Sequence, residues 1–194
     1  MRVESATTTM PQTAYNNLLL QRDGNRYRWE LLENKNLTLQ HLDTNEVLKT
    51  VRLGIECGRL PEDTGTDVPV ILGKFGLLKD GVLNNAAAVL FGKHEDMEYP
   101  QCLLRLARFK GTDKTVFMDS QRIQGNFFQL LNAAMAFIFK HLSLSGTTDT
   151  LEREEHLTIP YKAIREGVLN SLTHRSYKEA GGSVGIAIYD DRVE

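Results

Sequence analysis

Residues 160–177, PYKAIREGVLNSLTHRSY, set Glu166, Asn170 and His174 at successive steps of four. An α-helix returns to nearly the same azimuth every four residues and climbs about 6 Å in doing so, so a carboxylate, an amide and an imidazole form one polar row. Ile164, Val168, Leu169 and Leu172 supply the apolar side. A helix of this kind is either the wall of a site or an ordinary amphipathic helix, and the rest of the chain decides between them.

With 194 residues, 41% hydrophobic and 25% charged, the chain can build one full domain or two small ones. Its net charge of −2 excludes a globally basic nucleic-acid binder, so any such role has to come from a local patch. Cys57 and Cys102 lie far apart without metal-ligand spacing and read as two reduced core thiols. The polar start MRVESATTTMPQ has no secretory pattern, and a cytoplasmic location is the expectation. The apolar run 127–142 is broken by Gln129, Asn132 and Lys140, is too short to span a bilayer and belongs to a core. No membrane partner is expected.

Upstream of that helix, residues 1–10 form an extended lead-in, and Pro11 starts a helix through Ala14 to Gln21. Tyr27, Trp29, Leu31 and Leu32 read as an extended connector with Trp29 as a core anchor. Asp43 three residues before Glu46 is a capping-box pattern that opens a helix over 44–57, closed by Gly58. Asp67 caps a shorter helix to Gly76, with Pro69 in its first turn. Asp80-Gly81 turns a small hairpin, and Asn84 caps an Ala-rich helix to Phe91. Helix, helix and hairpin suggest a winged-helix-like connector.

Residues 101–109, QCLLRLARF, alternate as a strand, and 115–118 form its hairpin partner across the turn 110–114. Arg105, Arg108, Lys110 and Lys114 outnumber Asp113 in this stretch, which suits either phosphate contact or a solvated face. The helix over 126–142 is the most apolar in the chain and implies two contact surfaces, one for the core and one for a strand layer or a partner. Residues 143–150 read as a linker, 157–159 as a strand, and 183–189 as a strand that leaves through Asp190-Asp191-Arg192 into the start of another at Val193-Glu194. A chain that ends on half a hairpin reads as part of a longer protein.

The stretch IPYKAIREGVLNSLTHRSYKEAGGSVGIAIYDDRVE, with YRWELL, CGRLPE, GLLKDGVLNNAAAVLFG and RLARFKGTDKTVFMD, resembles bacterial RecG-related transcriptional regulators of the divergent-AAA, Schlafen/AlbA-associated family. The resemblance covers nearly the whole chain. It implies an AlbA-like module before Met1, a winged-helix segment further on, and a GHKL-type ATPase fold beginning in this chain, whose Gly-rich nucleotide segment lies beyond Glu194. The implied roles are water activation for Glu166, a Mg²⁺ ligand for Asn170 and phosphate contact for His174 and Arg175, with ATP and Mg²⁺ as cofactors of the full-length protein. DNA would be met by modules outside these residues.

The expected fold is α+β: a lead-in (1–10), a helical connector with a small hairpin (11–100), and an α/β portion resembling the start of a GHKL sandwich (101–194). The alternative function is a non-enzymatic interaction or homodimerisation module built on the Phe-rich helix 126–142.

Overall fold

The computed structural model describes residues 2–3, 6–7, 11–12, 15, 28–93, 99–142, 144–147, 154–157, 159–179 and 181–194. The fold is α+β, with two hydrophobic cores meeting at one helix. In the lead-in, β1 (Arg2–Val3) pairs antiparallel with β2 (Ala6–Thr7). Of the helix expected after Pro11, residues 12 and 15 are helical, and Tyr15 N–H donates to the Pro11 carbonyl at 3.0 Å. The remainder of that helix, and Tyr27, lie outside the described residues.

The first core is built by three capped helices. In α1 (Thr44–Glu56), the Asp43 carboxylate accepts from the N–H groups of Asn45 and Glu46, two donors that the helix cannot satisfy itself. The reciprocal half of the expected capping box is replaced by an ion pair, because the Glu46 carboxylate turns to Lys49 Nζ at 3.2 Å. In α2 (Val68–Lys74), Asp67 caps the Val70 N–H. Gly58 and Gly76 follow their helices at φ +65° and +69°, a conformation that costs a residue with a Cβ.

Strands β3 (Leu78–Lys79) and β4 (Val82–Leu83) pair across Asp80-Gly81, both at positive φ as a tight primed turn requires. In α3 (Asn85–Phe91), Asn84 caps the Ala87 N–H. Val47, Val51, Ile71, Leu72, Leu83 and Phe91 pack between these elements. Trp29 does not continue an extended connector. It opens a short 3-10 turn, Trp29–Leu31, and sets its ring edge-on to Tyr99, centroids 5.4 Å apart. The turn is held by a polar network. Asn85 Nδ2 donates to the Trp29 carbonyl at 2.9 Å, and Tyr99 OH donates to Asn85 Oδ1 at 2.7 Å. Cys57 is exposed rather than a core thiol, because it ends α1 on the solvent side; Cys102 is buried.

The second core lies on a three-stranded sheet. β5 (Leu103–Phe109) is central, antiparallel to β6 (Phe117–Gln124) and parallel to β9 (Val184–Ile188). A parallel neighbour requires a crossover. It runs through α4 (Phe127–His141), the hairpin of β7 (Leu144–Thr147) and β8 (Glu154–Leu157), and α5 (Tyr161–Thr173). The described part of the expected linker is therefore strand β7, and the strand expected at 157–159 lies earlier, at 154–157. β6 runs six residues beyond the expected 118. Its segment MDSQRIQ, an edge strand, has apolar side chains only at Met118 and Ile123, so alternation does not mark it.

Leu104 and Leu106 of β5 and Ile186 and Ile188 of β9 pack with α4 and α5. The two-surface expectation for α4 is met inside the chain. Leu130, Leu131, Ala134, Met135, Phe137 and Ile138 are buried, and Phe128 stacks on Phe91 of the first core at 5.6 Å. At its C-terminus, Lys140 Nζ and His141 Nε2 each lie 2.8 Å from Asp119 Oδ2 on β6. Lys140, then His141, holds the Asp119 carboxyl below its ordinary range. Among the described residues, no helix is long and apolar enough to cross a membrane.

The end of the sheet is tied by charge. Arg108 Nη2 donates to Asp190, whose other oxygen accepts from the Gly111 N–H at 2.8 Å. Arg108 first, then that N–H, lowers the Asp190 pKa. A depressed carboxyl stabilises the fold above its unfolded pKa of about 3.9, and the contribution is lost as pH falls through the lower folded value. Melting temperatures of wild type and Asp190→Asn should therefore differ at pH 7 and converge in strong acid. An equal gap at both ends of the range contradicts the pairing.

Candidate functional site

Pro160 starts α5 and its carbonyl accepts from the N–H groups of Ala163 and Ile164. Ile164, Val168 and Leu172 bury one stripe against the sheet. The opposite side is exposed and carries Glu166 and Asn170. Asn170 Nδ2 donates to Glu166 Oε1 at 3.2 Å, so the expected row exists and its first two members touch. Asn170 is exposed, and its carboxamide oxygen makes no hydrogen bond among the described residues.

The helix stops four residues short of the expected Tyr177. His174 is its C-cap, exposed, and donates its backbone N–H to the Asn170 carbonyl at 2.9 Å. Tyr177 folds back and donates its hydroxyl to the Leu172 carbonyl at 2.8 Å, which satisfies one of the last free carbonyls and closes the turn. His174 thus remains at the end of the polar row.

Arg175, one residue past His174, lies apart from the row. Its guanidinium lies over the Tyr177 ring, 4.8 Å from the centroid, and Nη2 packs against Gly182 so closely that a Cβ there would sit 3.0 Å away. Nε and Nη1 are buried with no hydrogen-bond partner among the described residues. Cys102 is beside it, its thiol pushed up to about 12 by burial, with Arg175 acting in the opposite sense. Burial likewise pushes the Tyr177 hydroxyl up to about 12. Gln101 Nε2 donates to the Tyr177 carbonyl at 3.0 Å, while Gln101 Oε1 is buried and has no partner among the described residues. Nothing in the local pattern of Gln101 and Cys102 marks this cluster. It forms because β5 begins beside the turn that follows α5.

A cleft of about 490 Å³ opens where the two cores meet, between the Trp29 turn, α3, the start of α4 and residues 172–178. Arg175 lines it; Glu166, Asn170 and His174 do not. A separate groove of about 290 Å³ runs along the buried side of α5 past Gly167 and Ser171.

Among the described residues, no three His, Cys, Asp or Glu side chains gather as a metal cluster. A single amide oxygen beside one carboxylate suits Mg²⁺ nonetheless, since that ion takes hard oxygen donors, keeps several waters and draws most remaining ligands from phosphate. Glu166 and Asn170 therefore fit the ion that the resemblance implies. The arrangement can present one oxygen to a cation and one carboxylate to water on the same helix face.

No family model and no curated protein matches the chain. Among solved structures, it is similar to the crystal structure of the DIP2311 protein from Corynebacterium diphtheriae, at 13% identity and a TM-score of 0.61 over 96% of this chain. The chain spans 35% of the length of that protein, and the likeness is one of fold.

Proposed function

We propose that these residues form the connector and the first part of an ATPase-like domain in a RecG-related transcriptional regulator, where nucleotide state is passed to DNA-binding modules outside them. The observation that carries the nucleotide half is the Glu166–Asn170 contact on an exposed face of a helix packed against a mixed sheet. Asn170 offers its amide oxygen to Mg²⁺, and His174 stands one turn further along for phosphate. Bound Mg²⁺ supplies charge neutralisation of the nucleotide phosphates. Glu166 accepts a hydrogen bond from the attacking water and orients it, and Asn170 Nδ2 fixes the carboxylate. The regulator half, with its winged-helix-like connector and GHKL-like sandwich, is supported by the residues of the resemblance.

Steady-state hydrolysis by the longer polypeptide, with Glu166→Gln beside wild type, tests the role of Glu166. The expected result is a loss of 100-fold or more in turnover with ATP affinity kept, in line with the roughly 10²–10⁴-fold that a positioned acid–base group contributes. Unchanged turnover removes Glu166 from the mechanism.

The alternative homodimer on the Phe-rich helix finds less support, since the large apolar side chains of α4 pack into the chain's own cores and its exposed face carries Gln129, Asn132, Ala136 and Lys140.

A further inference from the structure

We propose that the cleft between the two cores is a binding site for an aromatic organic anion, whose phosphate or carboxylate takes Arg175 as its counter-ion. The site is separate from the Glu166–Asn170 face, and the inference stands whether or not that face meets a nucleotide.

Three features carry it. Arg175 is a permanent cation with Nε and Nη1 shut away from solvent and, among the described residues, from any acceptor. Buried charged donors are ordinarily paired, because each unmade hydrogen bond forfeits the hydration it replaced. The guanidinium rests on Tyr177 and Gly182 without an ion pair among the described residues, while the side chain forms part of the cleft wall. Turning the guanidinium across that wall toward an anion exchanges two unmade hydrogen bonds for charge-assisted ones.

The second feature is the balance of charge around it. Arg28, Arg175 and Lys178 line the cleft against one acidic residue, Glu30, and that carboxylate is already engaged by Arg28 at 2.8 Å. Arg175 and Lys178 are left with no other carboxylate in the cleft among the described residues. The third is the apolar floor. Ala86, Val89 and Leu90 of α3, with Phe127, line the cleft together with Trp29 and Tyr177. A small inorganic anion leaves that floor wet, whereas a flat apolar body covers it. A ligand here touches elements of both cores and holds them together.

Trp29 is the single tryptophan of the chain and lines the cleft, so its fluorescence reports on this site. The 194-residue protein is titrated with phenyl phosphate, with inorganic phosphate as the bare anion and benzyl alcohol as the uncharged ring. Phenyl phosphate should give a saturable change at least tenfold tighter than either control, and Arg175→Gln should weaken it tenfold or more. The absence of saturation, equal affinity for a control, or an unchanged Arg175→Gln overturns the proposal. If Arg175→Gln fails to fold, Ser176→Asp decides, because it sets a carboxylate on the exposed cleft wall beside Arg175. A tenfold loss supports the site, and unchanged affinity of that variant overturns it.

Discussion

Phe91→Ala should lower the unfolding free energy by about 3–5 kcal/mol, the usual range for emptying a large aromatic site in a core. Phe91 is 2% exposed, ends α3 and stacks on Phe128 from the first turn of α4. The substitution therefore opens a cavity on the seam of the two cores, where neither can collapse independently of the other. Urea denaturation checks this. The midpoint should fall with the slope m unchanged, since the same surface is exposed on unfolding. A loss under 1 kcal/mol would mean that the ring is not packed as described.

Asn126→Ala should cost about 2–4 kcal/mol, the sum of about 1 for a lost helix cap and about 1–3 for a buried acceptor left unsatisfied. Asn126 is fully buried. Its Oδ1 accepts from the Gln129 N–H at 3.0 Å, its own N–H donates to Gln129 Oε1 at 3.0 Å, and its Nδ2 donates to the Gly92 carbonyl at 3.0 Å. One side chain thus starts α4 and ties it to the residue that ends α3. Asn126→Ser keeps a capping oxygen and loses the Gly92 bond, so it should recover about the capping share. If serine and alanine are equally destabilised, the cap is not what the asparagine contributes.

The polar caps were the most legible features of the sequence. Asp43, Asp67 and Asn84 each start a helix where a short acceptor precedes an apolar run, because the physics of a helix start is local. The reading begins the fourth helix on Asn126, which is instead its cap. The N-x-x-Q spacing to Gln129 is a sequence signal for that position.

Less of β6 could be read, since Asp119, Ser120, Gln121 and Arg122 are held by backbone pairing to β5 and not by an apolar face. Trp29 was recognisable as an anchor. Its 3-10 turn was not, because it depends on Asn85, 56 residues away. In the site, Glu166 and Asn170 share a face by periodicity alone, whereas the place of the Arg175 guanidinium depends on Tyr177 and Gly182 meeting it after the helix ends.

The most direct test of the nucleotide reading is calorimetric titration of ATP into the longer polypeptide, with and without Mg²⁺, for wild type and Asn170→Ala. The account predicts Mg²⁺-dependent binding in wild type that Asn170→Ala weakens tenfold or more, with the Mg²⁺-free affinity unchanged. Equal Mg²⁺-dependent affinity in the two proteins contradicts it.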